Sequence, residues 1–218
     1  MNTPLVLLIL LVVASTSLAQ GSGTASRITM PVVNEDQGKA CMIVGDPLSL
    51  LDKGSAVVTE PRQFSLFLGN GWASERTQAR KNDLANVFGD PSNVDPGILS
   101  KLGWGNIYGP KMYSEHLMAE TDPVSDLKIQ SILTGVVKND PRLTSPADFI
   151  YVIYLGPGLS PRLGALVGSK RYPAYYNAVN TSGTRLRYVV VSYENNPKTM
   201  MTNALSGVIA IVFQPACS

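Results

Sequence analysis

Apolar positions fall along this chain in runs, alternations and helical stripes. The first is an unbroken run at residues 4–13, Pro-Leu-Val-Leu-Leu-Ile-Leu-Leu-Val-Val. Next, Phe64, Leu66 and Leu68, with Phe67 between them, make a short apolar stretch stopped by Gly69-Asn70-Gly71, which predicts a strand. Ser74 then stands where a cap would open a helix through Phe88, with Ala79, Leu84, Val87 and Phe88 as its apolar face. Gly89-Asp90-Pro91 closes that helix. Residues 91–124 are rich in Gly and Pro and predict an irregular crossing with a strand near Asn106 to Met112.

The second half is more regular. Ile129, Ile132, Leu133, Val136 and Val137 recur at the spacing of one buried helical stripe, behind Ser125 as a cap and ahead of Asn139-Asp140-Pro141. Phe149-Ile-Tyr-Val-Ile-Tyr-Leu155 is almost wholly apolar and predicts a central strand buried on both faces. Residues 185–193 begin by alternating and end apolar, a second strand. Asn196 and Pro197 open a last helix with Met201, Ala204, Leu205, Val208 and Val212 on one face, although Val208 to Phe213 has strand-like composition. Strands alternating with helices predict a single α/β domain, a mixed sheet with packing helices and the C-terminal helix in the core.

The first apolar run needs a different reading. Small Ser17 and Ala19 follow it at the −3 and −1 positions before Gln20, the pattern of a cleaved secretory signal over residues 1–19. Its n-region carries no Lys or Arg. Pro4 to Ala19 is shorter than the roughly 20 residues that span a bilayer, so no membrane attachment is expected after cleavage. Residues 20–54 read as a flexible leader and N-terminal extension, and 55–218 as the domain. The expected location is secreted or extracellular, or periplasmic in a Gram-negative bacterium.

Composition narrows the chemistry. The chain has 218 residues, 44% of them hydrophobic and only 16% charged, against roughly 25% charged for a typical domain. That excludes disorder, coiled coil and a disulfide-dense scaffold. A net charge of +2 is too small to argue for nucleic acid. Export makes Cys41 and Cys217 an expected disulfide, the other reading being two unpaired thiols, one buried beside Met-Ile-Val and one on the tail. Asn180-Thr181-Ser182 is a glycosylation sequon, meaningful in a eukaryotic secretory pathway.

With a single histidine, His116, triad and zinc chemistry have little to work with. His116 has Glu115 beside it and Glu120 four residues on, a weak two-ligand face more readily read as a solvated patch. No Gly-x-Ser-x-Gly elbow exists. Gly103 to Gly109 lacks the glycine spacing of a phosphate loop. Gly156-Pro157-Gly158 to Arg162 follows the best strand, where α/β sheets often hold ligands, yet reads equally as a rigid loop. Lys170, Arg171, Tyr172, Tyr175 and Tyr176 form the one aromatic–basic cluster, a candidate binding patch for a glycan or protein, or simply a tyrosine-rich strand edge. No cofactor or catalytic metal is expected.

Four stretches carry a family resemblance: Val124 to Gln130, Phe149 to Gly158, Tyr172 to Asn177 and Arg187 to Val191. With them, the chain resembles secreted bacterial proteins related to the exordium (phosphate-induced) family. In that family the last helix often carries a Ser-His-Glu-x-x-Glu pattern. Here Ala204 to Pro215 holds no His and no Glu, and Tyr176 stands where relatives have a His. The resemblance therefore implies a secreted protein without the relatives' metal ligands, and no particular activity. Three functions follow as expectations: a non-catalytic extracellular binding or structural protein; a metal-independent hydrolase using acids such as Asp122, Asp126 and Glu194; or a glycan-binding module. Oligomeric state is not legible.

Overall fold

The computed structural model describes residues 32–35, 38–43, 62–85, 113–116, 123–164, 166–168 and 172–213. In chain order these form β1 (Val32–Glu35), β2 (Gly38–Ile43), β3 (Arg62–Leu68), a 3-10 turn, α1 (Glu75–Leu84), β4 (Tyr113–His116), β5 (Val124–Ser125) and α2 (Asp126–Asn139). Then come β6 (Phe149–Leu155), β7 (Pro161–Leu163), β8 (Leu166–Val167), β9 (Ala174–Thr181), β10 (Thr184–Val191) and α3 (Pro197–Phe213).

Seven strands make the main sheet in the order β1-β2-β9-β10-β6-β3-β4. The four from β10 to β4 are parallel, and β9, β2 and β1 add on antiparallel. This is the expected α/β domain with a mixed sheet. A small second sheet, β5-β7-β8, covers part of one face.

All seven residues of β6 are buried, because the strand lies between β10 and β3 and has packing on both faces. Strand side chains alternate, so each strand feeds two cores. Val152 and Tyr154 point with Phe67, Trp72, Val189 and Val191 toward α1 and α3. Tyr151 and Ile153 point with Phe64, Leu66, Leu68, Tyr188 and Val190 toward α2. The chain runs from β3 outward to β4 and then back across β3 to β6. Two right-handed crossovers in opposite directions must use opposite faces, and α1 and α2 do.

Several elements differ from the sequence pattern. The sheet reaches back to Val32, so residues 32–35 and 38–43, within the expected leader and N-terminal extension, pair into it. In α1, Ala79 is exposed, and the inward face is Thr77, Lys81 and Leu84. Two polar residues on that face are what hid it from a hydrophobic count. Val87, Phe88, the strand expected near 106–112 and the signal at 1–19 lie outside the described residues.

α2 follows its stripe closely. Ser125 caps it, its hydroxyl accepting from the Lys128 N–H at 3.3 Å, and Ile129, Ile132 and Leu133 are buried. Asn196 opens α3 by accepting from the Lys198 N–H at 3.0 Å. α3 packs over β9, β10 and α1, and every residue from Ala204 to Phe213 is buried. A helix covered all round has no polar face, which is why its end read as a strand. Val208→Ala should cost about 2 kcal/mol by leaving a cavity, measurable as a lower urea midpoint with an unchanged slope.

Candidate functional site

The carboxyl ends of parallel strands are the first place to look for a ligand, at the point where successive connections leave for opposite faces. Here that point lies between β3 and β6, and it is filled. Gly69 adopts φ +103°, and a side chain there would meet Leu159 Cδ1 at 2.6 Å. One at Gly71 would meet the Pro157 ring at 2.7 Å. Trp72 is fully buried beneath them and donates from Nε1 to the Tyr154 carbonyl at 3.1 Å. The Gly156–Arg162 loop is thus packing, the plainer of its two readings.

Open space lies one strand away. A cleft of about 650 Å³ runs between edge strand β4 and helix α2. Along β4, Tyr113 stacks edge-on with Phe67 at 5.8 Å and Glu115 pairs with buried Lys81 at 2.5 Å, both on the α1 side. Alternation then turns Ser114 and His116 to the other face, where they line the cleft. Opposite them, Lys128, Ser131, Gly135 and Asn139 lie along one side of α2. Asp140 and Arg142 close the far end. Arg142 holds Asp140 through paired contacts of 2.5–3.2 Å and donates to the Tyr113 carbonyl at 3.0 Å. This guanidinium holds the Asp140 carboxyl below its ordinary range.

Gly135 sits at the middle of the floor. Nothing lies within 4 Å of where its Cβ would be, so no neighbour requires a glycine there. Glycine inside a helix costs about 1 kcal/mol relative to alanine. Its one evident consequence is room. Gly135→Ala should therefore raise stability by about 0.5–1 kcal/mol, seen as a higher urea midpoint.

A second polar centre is sealed. Asp126, at the first position of α2, is 1% exposed. Its Oδ1 accepts from Tyr175 Oη at 2.5 Å and Tyr188 Oη at 2.8 Å. Its Oδ2 accepts from Gln130 Nε2 at 2.7 Å, Asn177 Nδ2 at 2.9 Å and Tyr188 Oη at 3.0 Å. Burial, and after it the Asp126 charge, pushes both tyrosine hydroxyls well above their ordinary range. Three of the four stretches that carry the family resemblance meet here: Asp126 and Gln130 come from the first, Tyr175 and Asn177 from the third, Tyr188 from the fourth.

The remaining expected sites fall as follows. Tyr172, Tyr175 and Tyr176 are at most 3% exposed and form no surface patch. Tyr175 faces the α2 core and Tyr176 the α3 core, since neighbours on a strand point opposite ways. Lys170 and Arg171 lie outside the described residues. His116 and Glu115 lie on strand β4 and point to opposite faces of it, and Glu120, the i+4 partner of the two-ligand face, lies outside the described residues. Of the three acids, Asp122 lies outside the described residues. Asp126 is in the α2-side network, while the Glu194 backbone is held by Arg80 of α1 on the other face. Asp126 and Glu194 do not converge. Asn180 is exposed near the β9–β10 turn. Cys41 lies in β2, but its side chain and Cys217 are outside what is described, and so is the disulfide. Among the described residues no group of three His, Cys, Asp or Glu is placed to hold a metal, and no helix is long and apolar enough to cross a membrane.

Comparison with protein-family models, with curated proteins and with solved structures finds no match.

Proposed function

We propose that this chain is an exported binding protein, exordium-like in its motifs, that holds a small polar ligand in the cleft between β4 and α2. One observation carries the reading. The usual crevice at the strand ends is filled by Trp72, Leu159 and Pro157, whereas the β4–α2 cleft is open, carries polar side chains on both walls and is floored by a glycine that no neighbour requires. The best-placed buried acid, Asp126, has its lone pairs committed to four side chains, which favours binding over acid–base catalysis. Export rests on the apolar run at 4–13 and the small residues at 17 and 19. N-terminal sequencing of the secreted chain is expected to begin at Gln20. A start at Met1 refutes cleavage.

The test of the cleft is a filled one. Gly135→Leu places a side chain in open space and should fold normally by circular dichroism. Wild type titrated with a panel of oligosaccharides and small polar metabolites should bind at least one of them, and Gly135→Leu should lose it. A ligand that binds both proteins equally puts the site elsewhere. Turnover of a panel member by the wild type would make the chain an enzyme.

A further inference from the structure

We infer that the cleft is built for an acidic sugar, a uronate-bearing oligosaccharide whose carboxylate sits at the Lys128–His116 end. The inference rests on the reading of the cleft as the ligand site. Its first support is charge. Two acids border the cleft, and each is already matched: Glu115 by Lys81 and Asp140 by Arg142. Two basic side chains line it, and neither Lys128 nor His116 has a side-chain ion pair or hydrogen bond among the described residues. An anion is what this lining leaves unsatisfied.

Direction along the cleft comes from topology. α2 belongs to the crossover from the carboxyl end of β4 to the amino end of β6, so it runs against the strands. Lys128, in its first turn, therefore lies toward the His116 end. Asn139 and Asp140 lie toward Tyr113, where Arg142 bridges them. The positive end and the neutral body of the cleft are separate.

The body has the chemistry of a sugar site. The Ser114 and Ser131 hydroxyls and the Asn139 side-chain oxygen offer partners to ring hydroxyls, the Asn139 amide nitrogen being turned to the Gly135 carbonyl at 2.9 Å. Ile132 and Val136 supply an apolar strip for a pyranose face, and bare Gly135 leaves room for the ring. A volume of about 650 Å³ is far more than a lone phosphate or acetate requires and lies in the ordinary range for small-molecule sites.

Calorimetry on the mature full chain tests this with a galacturonate disaccharide, its neutral galactose counterpart and sodium acetate. The uronate should bind at least about tenfold more tightly than the neutral sugar, and acetate should not bind measurably. Lys128→Gln should weaken the uronate about tenfold or more, the loss of one charge-assisted hydrogen bond, and leave the neutral sugar unchanged. Gly135→Leu should abolish both. Equal binding of acidic and neutral sugars, or indifference to Lys128→Gln, overturns the acidic preference while the cleft survives. Uronate binding that persists in Gly135→Leu overturns the cleft as well. If neither sugar binds wild type, the sugar inference is wrong, and a hit from the metabolite panel lost in Gly135→Leu would keep the site.

Discussion

Asp126→Ala should cost the domain about 3–5 kcal/mol, the range for removing one partner from a buried polar group and orphaning the others. Four side chains aim donors at this carboxylate: Tyr175, Tyr188, Gln130 and Asn177. Truncation removes the acceptor all four share, leaves the Tyr175 and Tyr188 hydroxyls to find another, and opens a void where the carboxylate was. Asp126→Asn should cost less, for a geometric reason. Hydroxyls rotate and accept, whereas the amides of Gln130 and Asn177 present N–H groups to Oδ2. The variant can keep its oxygen toward the amides and turn its nitrogen toward the two tyrosines. Urea unfolding should therefore rank wild type, Asn and Ala in falling order, with the Ala midpoint well below the Asn one. Equal midpoints for Asn and Ala would show that the donors do not depend on an oxygen at this place. Wild-type stability in Asp126→Ala would show that the network stabilises nothing.

That network explains what the sequence could and could not reveal. The apolar run of β6 and the stripe of α2 were legible because burial there is written in hydrophobic residues at fixed period. Lys81 was not, since a buried lysine reads as a surface residue until Glu115 arrives from a strand 34 positions away. Asp126 reads locally as an ordinary first-turn acid favoured by the helix dipole. Only the β9–β10 register, which pairs Tyr188 with Asn177, makes it the centre of a core. The tyrosine cluster shows the reverse: Tyr175 and Tyr176, adjacent in sequence, are sent by β9 to opposite buried faces, so neighbours in the string are not neighbours in space. The cleft was invisible because its floor is marked by a missing side chain, and pattern reading counts side chains that are present.

Those buried tyrosines also set the alkaline limit of the fold. Tyr154, Tyr175 and Tyr188 are fully buried, and burial raises each hydroxyl well above its ordinary range. Tyr176 is pushed up to about 12 by the same cause. Ionisation in the folded state would place a phenolate against an acceptor: the Leu84 carbonyl for Tyr154, the Asp126 carboxylate for Tyr175 and Tyr188. The unfolded chain has no such obstacle and loses these protons near pH 10. Between that pH and the raised folded values the native state holds more protons than the unfolded one, so stability falls as pH rises. The three fully buried groups alone give a slope of about 4 kcal/mol per pH unit, to which Tyr176 and the similarly raised Tyr151 add, against a total stability on the order of 5–15 kcal/mol. Tyrosine is thus expected to leave stability level below about pH 10 and to collapse it within a few units above. Tyrosinate absorbance at 295 nm should rise in one step that coincides with loss of the far-ultraviolet dichroism. A smooth titration of these tyrosines near pH 10, with the dichroism intact, would mean that their hydroxyls are open to solvent and the two-sided core is not closed around them.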